Sequence, residues 1–262
     1  MVVREEVRMA AKSNGPATGR KDRAKIWYPV LLDLEDKPCL VVGGGRVAER
    51  KACTLMEAGA SVTVVSPRLT PQLEAWAEQG LIRTQREEYT AGLPVLAQAF
   101  LVFAATGDAV VNAQVCAEAE ALGKLVNSAD DAEAGGFIVP ATLRRGRLTL
   151  AVSTAGASPS LAAKVRRQLE DMFGEEYAPY LELMHELRMT VQTVVSDTSE
   201  RQELFRAMLE WKLLPLFKSG RLPYDHLRSE LLRRVAEDPT IDGICSIGDW
   251  LLSLQNAWNG HE

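Results

Sequence analysis

The chain has 262 residues, 47% hydrophobic and 25% charged, which is enough apolar material for one large or two modest packed domains. Its formal net charge of −5 argues against a nucleic-acid partner, and no apolar run approaches the roughly eighteen residues that span a bilayer, so no membrane partner is expected. Four scattered cysteines (Cys39, Cys53, Cys116, Cys245) form no C-x-x-C pair, which speaks against a zinc site or disulfide framework and for the reducing cytoplasm.

In chain order, residues 1–25 are polar, carry Arg4, Arg8, Lys12 and Arg20, and lack the apolar stretch of a signal peptide. They read as a flexible lead-in. Residues 28–32 are apolar and stand one turn ahead of a strand formed by Leu40, Val41 and Val42. That strand runs into Gly43-Gly44-Gly45-Arg46-Val47-Ala48, a match to G-x-G-x-x-G/A with Ala48 in the last place. Gly43 permits the sharp turn, Gly45 lets backbone approach a pyrophosphate, and the helix that follows to Gly59 offers its free N–H groups to the diphosphate. A strand over 61–65 completes a βαβ unit of dinucleotide-binding spacing. It ends at Ser66-Pro67, where an acidic residue usually meets the ribose. Ser66 can still bond a ribose, and Arg68 can meet a 2′-phosphate, so the residues leave NAD and NADP both open.

The alternation continues with a helix over 71–79, a short strand over 81–84, a helical turn near 93–97, a buried strand over 99–105, a helix over 108–122 and a strand over 124–127. This order predicts a parallel sheet with helices on both faces. Thr106 and Asp108 fall at the carboxyl edge of that sheet, where ligands bind, although Asp108 can equally cap the helix beginning at Ala109. Asn112, one turn on, reads as a surface or helix polar residue. Asp130, Asp131 and Glu133 follow the next strand. Adjacent aspartates cannot both face inward, so at most one acts on a substrate, and a solvated loop is the plain alternative. An arginine-rich turn (Arg144, Arg145, Arg147) precedes a strand over 148–153, and Ser158 is placed to cap a helix from Pro159. The arginines and Lys164 can bind a polyanion, and Ser153 and Thr154 belong to a Ser/Thr/Gly run that can cradle carboxylates. Beyond Gly174 the chain reads as long amphipathic helices over 177–194, 199–211 and 224–236.

Taken together, Tyr28-Pro29-Val30, VVGGGRVAERK (41–51), Ala104 to Asp108 with Asn112, Asn127 to Pro140, and AVSTAGASP (151–159) resemble the precorrin-2 dehydrogenases of siroheme biosynthesis. The resemblance covers about residues 26–194 and is poor from 197 onward. It implies an α/β protein: an NAD-binding Rossmann domain (26–138), a small domain interlocking a homodimer (139–174) and a helical C-terminal domain (175–262). It implies NAD-dependent oxidation of the tetrapyrrole precorrin-2 to sirohydrochlorin. The NAD-binding positions are then Gly43, Gly44, Gly45, Arg46, Val47, Ser66, Pro67, Thr106 and Asp108. The key aspartate falls on Asp130 and the usual basic residue on Arg145, with Asn127, Ser153, Thr154 and Lys164 also toward substrate. Some members also insert ferrous iron, which is a partner here only if that second activity is present. The histidines (His185, His226, His261) all lie in the helical tail, so no metal ligands are assigned. His185 reads as a half-buried core residue. No methyltransferase domain is expected, since the chain stops too early for one. The alternatives are a Rossmann-type NAD-binding redox sensor, or a dehydrogenase for another substrate. The latter more often supplies a histidine base, and none precedes His185.

Overall fold

The computed structural model describes residues 25–131, 134–219 and 223–259. The lead-in before Lys25, Glu133 and His261 lie outside the described residues. The chain divides into a first compact unit ending at Val139 and a second beginning at Pro140.

The first unit is built on five parallel strands: β1 (Pro38–Val42), β2 (Ser61–Val65), β3 (Arg83–Gln85), β4 (Leu101–Ala104) and β5 (Leu125–Ser128). Their order is β3-β2-β1-β4-β5. The helices between them are α1 (Arg46–Glu57), α2 (Pro71–Glu78), α3 (Pro94–Gln98) and α4 (Ala109–Ala121). β1 is buried on both faces, so it reads as a continuous apolar run rather than an alternating one. Val41, Val64 and Phe103 face a core completed by Ala48, Ala52 and Leu55 of α1 and Leu73 of α2. Leu40, Val42 and Val102 face the other, completed by Leu96 of α3 and by Val115, Cys116 and Ala119 of α4. Strand order reverses between β1 and β4, which pair in register from Cys39↔Leu101 to Val42↔Ala104. A crevice therefore opens beyond their carboxyl ends. The apolar run 28–32 forms neither strand nor helix, and Tyr28, Val30 and Leu31 are exposed.

In the second unit, β6 (Ala141–Arg145) and β7 (Leu148–Val152) form an antiparallel hairpin. The expected arginine-rich turn is therefore mostly strand. Arg145 pairs with Leu148, so the turn is only Gly146-Arg147, with glycine in the first place at φ +53°. Then follow α5 (Pro159–Met172), α6 (Tyr177–Val194), α7 (Thr198–Leu209), α8 (Leu213–Ser219), α9 (Tyr224–Glu237) and α10 (Ile241–Asn259). Ser158 Oγ accepts from Leu161 N at 3.2 Å and caps α5. The helical core takes Leu183, Leu187 and Val191 from α6 and Leu227, Leu231 and Val235 from α9, each set spaced by four on one helix face. Leu204 and Met208 of α7 and Ile244, Ile247 and Leu251 of α10 close it. His185 on α6 is half-buried. No helix among the described residues is long and apolar enough to cross a membrane.

Candidate active site

The end of β1 is where the chain needs glycine for its own packing. Gly43 has φ +124°, and a Cβ there would lie 2.3 Å from Ala105 O. A Cβ on Gly44 would lie 1.9 Å from Arg68 O. These two glycines let the ends of β1, β2 and β4 close on one another: Gly43 N donates to Val65 O at 2.9 Å and Ala105 N to Val42 O at 2.8 Å. Gly45 differs. A Cβ there would meet nothing within 4 Å, and the residue opens α1 with no side-chain cap. The first-turn N–H groups of α1 thus face open space, which is the arrangement an incoming phosphate uses.

A cleft of about 830 Å³ lies over this turn, a size suited to a small-molecule ligand. All of Gly43, Gly44, Gly45, Arg46, Val47, Ser66, Pro67, Thr106 and Asp108 line it, with Arg68, Glu88 and Tyr89 on the β2–β3 side. The buried Ser66 donates its hydroxyl proton to Arg68 O at 2.8 Å, which leaves an oxygen lone pair as its means of meeting a ribose hydroxyl. Tyr89 is fixed by Glu118, whose other oxygen accepts from Gly92 N at 2.9 Å. Burial, then Glu118, pushes the Tyr89 phenol well above its ordinary range, so it stays protonated. Asp108 caps α4, accepting from Val110 N at 2.8 Å. This occupies Oδ1 and settles the capping alternative.

Asp130 follows β5 and does not line the cleft, but it is tied to the cleft wall. Its Oδ1 accepts from Ser128 Oγ at 2.5 Å and its Oδ2 from Asn112 Nδ2 at 2.9 Å. Those bonds, Ser128 first and Asn112 second, hold its carboxyl below the usual carboxylate range. Asp131 Oδ1 accepts from Ala134 N at 3.2 Å within the loop itself. Asn127 is buried and donates from Nδ2 to Phe137 O at 3.0 Å, closing the loop after β5 against the sheet. Phe137 meets Phe103 edge to face at 5.4 Å, and Lys51 Nζ stands 5.4 Å from the centre of the Phe103 ring. Burial, then the Arg50 charge, lowers the Lys51 pKa.

Asn112 is not the surface residue that its sequence context suggests. It is 1% exposed and is the link between Asp130 and Thr106. Its signal was the four-residue spacing from Asp108, which puts both at the sheet-edge end of α4 on one helix face. Ser128, adjacent to Asn127, was also passed over.

The remaining candidates lie in the second unit. Arg145 has a side chain only 17% exposed, its Nε 3.4 Å from Glu175 Oε1 and its Nη1 donating to Arg144 O at 2.9 Å. Ser153 Oγ accepts from Ala155 N at 3.0 Å, and Thr154 Oγ accepts from Ser158 N at 3.0 Å. Both thereby shape the turn before α5, where Ala155 takes φ +52°. Lys164 is exposed on α5. Among the described residues, no three His, Cys, Asp or Glu are grouped to hold a metal ion.

Two family models match the chain, one described as "Putative NAD(P)-binding" over residues 30–141 and one as "Sirohaem biosynthesis protein central" over 145–172. A siroheme synthase of Chromobacterium violaceum is 38% identical over 210 residues, 80% of this chain and 44% of that protein. The chain thus spans less than half the length of the siroheme synthases it matches. A precorrin-2 dehydrogenase of Priestia megaterium is 33% identical over 183 residues, 70% of this chain and 89% of that protein. The solved structure of SirC, a precorrin-2 dehydrogenase, matches with TM-score 0.67 and 30% identity over 81% of this chain and 100% of that one. A nicotinamide-dinucleotide cleft on a 3-2-1-4-5 sheet, followed by the siroheme central segment, places this chain in the precorrin-2 dehydrogenase and siroheme synthase family.

Proposed function

We propose that the chain oxidises precorrin-2 to sirohydrochlorin, with NAD rather than NADP as the working cofactor, in the cytoplasm and as a homodimer. The observation that carries the reading is an ionised carboxylate, Asp130, held by two donors and tied to the wall of a dinucleotide cleft. NAD, when bound, supplies the acceptor for a hydride.

The chain's own residues account for the rest. The first turn of α1 and the space over Gly45 receive the diphosphate. Ser66 presents a lone pair to the ribose 2′-hydroxyl, and on the same rim the Glu88 carboxylate opposes the 2′-phosphate that Arg68 would attract. Asp130 meets the tetrapyrrole. A carboxylate held below its ordinary range is a weak base, so it does not abstract a proton from a neutral macrocycle before hydride leaves. Loss of hydride makes the macrocycle cationic, and Asp130 then stabilises that charge and accepts a proton that has become far more acidic. Arg145, Ser153, Thr154 and Lys164 are assigned to the substrate's carboxylates, and Asn127 keeps the loop carrying Asp130 closed. The pairing of copies is supported by the β6–β7 hairpin, a two-stranded sheet that packs against α5 and α6 and leaves both strand edges open to a second copy. The domain limits 26–138, 139–174 and 175–262 belong to the same reading.

Asp130→Ala tests it. Turnover of precorrin-2 should fall by about a hundredfold or more, as for loss of a general base, while NAD affinity stays within about twofold, because Asp130 is outside the cleft lining. An NAD-binding redox sensor needs the glycine turn but not Asp130. Wild-type protein that binds NAD and oxidises no precorrin-2 would favour the sensor or a different substrate.

A further inference from the structure

Among the described residues, Asn112 is the least exposed of the buried polar side chains. An amide has two lone pairs and two N–H bonds, and here all are engaged. Oδ1 accepts from Thr106 N at 3.0 Å and from Thr106 Oγ at 2.7 Å. Nδ2 donates to Thr106 O at 3.2 Å and to Asp130 Oδ2 at 2.9 Å. The reverse orientation of the amide would set an oxygen against the Asp130 carboxylate and an N–H against the Thr106 N–H. The partners therefore fix which way it points. Thr106 lines the cleft, while Asp130 stands beyond the end of β5. One side chain on α4 spans the two.

We propose that Asn112 is a positioning residue, whose amide fixes the Thr106 turn of the cofactor cleft through three bonds and, through the second N–H of Nδ2, aims the Asp130 carboxylate. The inference rests on Asp130 as the substrate-facing group. Ser128 sits on β5, and its hydroxyl donates to Asp130 Oδ1 itself, whereas Asn112 reaches both Asp130 and the Thr106 turn. Of the titratable groups around the Asp130 carboxylate, the Cys116 thiol on α4 is pushed up first by burial and also feels the charges of Glu120, Asp130 and Asp131. Hydrogen bonds, from Ser128 and then from Asn112, are what favour the ionised form of Asp130.

Asn112→Asp keeps the acceptor oxygen and removes both Nδ2 donors, the one to Asp130 and the one to Thr106 O. It sets a second carboxyl against Asp130. Three readouts apply to the full-length protein: NMR titration of the Asp130 carboxyl, NADH fluorescence for cofactor affinity, and the pH profile of precorrin-2 oxidation. Asp130 should titrate at least about one pH unit higher, since two close carboxyls resist joint ionisation. The acid limb of the turnover profile should move up with it, and turnover at neutral pH should fall at least about tenfold. NAD affinity should change by less than about threefold, because the Thr106 turn keeps two of its three bonds to this side chain. Asn112→Ser, too short to hold either partner as the amide does, should raise the Asp130 titration and weaken NAD as well. It carries the same measurement if the aspartate variant does not fold. An unmoved Asp130 titration in a folded variant would reduce Asn112 to a packing role and overturn the proposal. Wild-type protein inert toward precorrin-2 would overturn the proposed function instead, and the titration would still decide the role of Asn112.

Discussion

The two units bury different things. Among the described residues, five buried side chains are polar (Thr63, Ser66, Asn112, Asn127 and Ser128), and all belong to the sheet unit. The helical unit buries apolar side chains, with the indole N–H of Trp211 satisfied by Ile244 O at 3.0 Å. The charges of its helices pair toward the surface, as in Arg228 with Glu186 and Arg233 with Glu230 and Glu237, while Arg145 of the hairpin is only 17% exposed. Burying a polar group costs free energy unless it is bonded, so an unforced fold avoids it. The sheet unit accepts that cost for four of the five at the carboxyl ends of its strands: Ser66 follows β2, Asn127 and Ser128 end β5, and Asn112 lies beside them, while Thr63 stands in mid-β2. The contrast marks the helical core as packing and one sheet edge as the candidate for chemistry.

That contrast can be broken by experiment. Leu187, fully buried in the helical core, should cost about 2–5 kcal/mol in denaturant unfolding when cut to alanine. Cofactor affinity of the folded variant should not change, since no cleft atom is touched. Equal losses of stability and of NAD affinity would erase the distinction. Within the sheet unit, adjacent glycines should behave oppositely. Gly45→Leu has room within the chain and should leave the melting curve near wild type, while raising the NAD dissociation constant about tenfold or more through lost phosphate contacts. Gly44→Ala drives a methyl to 1.9 Å from Arg68 O, so it should lower the melting temperature first. If Gly45→Leu leaves NAD binding untouched, the diphosphate does not sit over that residue.

Much of this was legible in advance where local sequence carries the signal. The glycine turn, the β1 run and α1 announce themselves, because close backbone approach admits so few residue types. The α9 stripe is legible from its spacing of four. Three features were not. β6 hides behind its arginines, since a short strand of a hairpin shows no long apolar run and the tight turn needed only Gly146. α8 and α10 fall in the stretch unlike the family, and Pro215 and Gly243 blur their helical pattern. Asn112 looks like any polar residue on a helix, because its burial depends on β5 and Asp130, which lie far along the chain. Hydrogen bonds between distant segments leave no periodicity to read.

The smallest expected effect belongs to Cys39 and shows only in alkali. Cys39 sits in the middle of the sheet, 2% exposed, in register with Val62 and Leu101. Burial pushes its thiol from 9.0 up to about 11, partly offset by a backbone hydrogen bond at Leu101. The folded chain therefore holds this proton more tightly than the unfolded one. Its contribution to stability is complete below the unfolded value and is lost as pH rises from 9.0 toward about 11. One proton gives a slope of at most about 1.4 kcal/mol per pH unit. Asp130 has the opposite sign: its carboxyl is lowered on folding, so its contribution is present above the ordinary carboxylate pKa and fades in acid. Cys39→Ala should cost about 1 kcal/mol at neutral pH, for a small cavity, and should flatten the alkaline part of the stability profile. Identical alkaline slopes in wild type and variant would show that this thiol does not carry the effect. The same burial makes Cys39 slow to alkylate, so iodoacetamide at neutral pH should mark the exposed Cys245 and spare Cys39 until the chain unfolds. Labelling of Cys39 in the native protein would mean that β1 is not shielded on both faces, and the crevice at its end would lose its foundation.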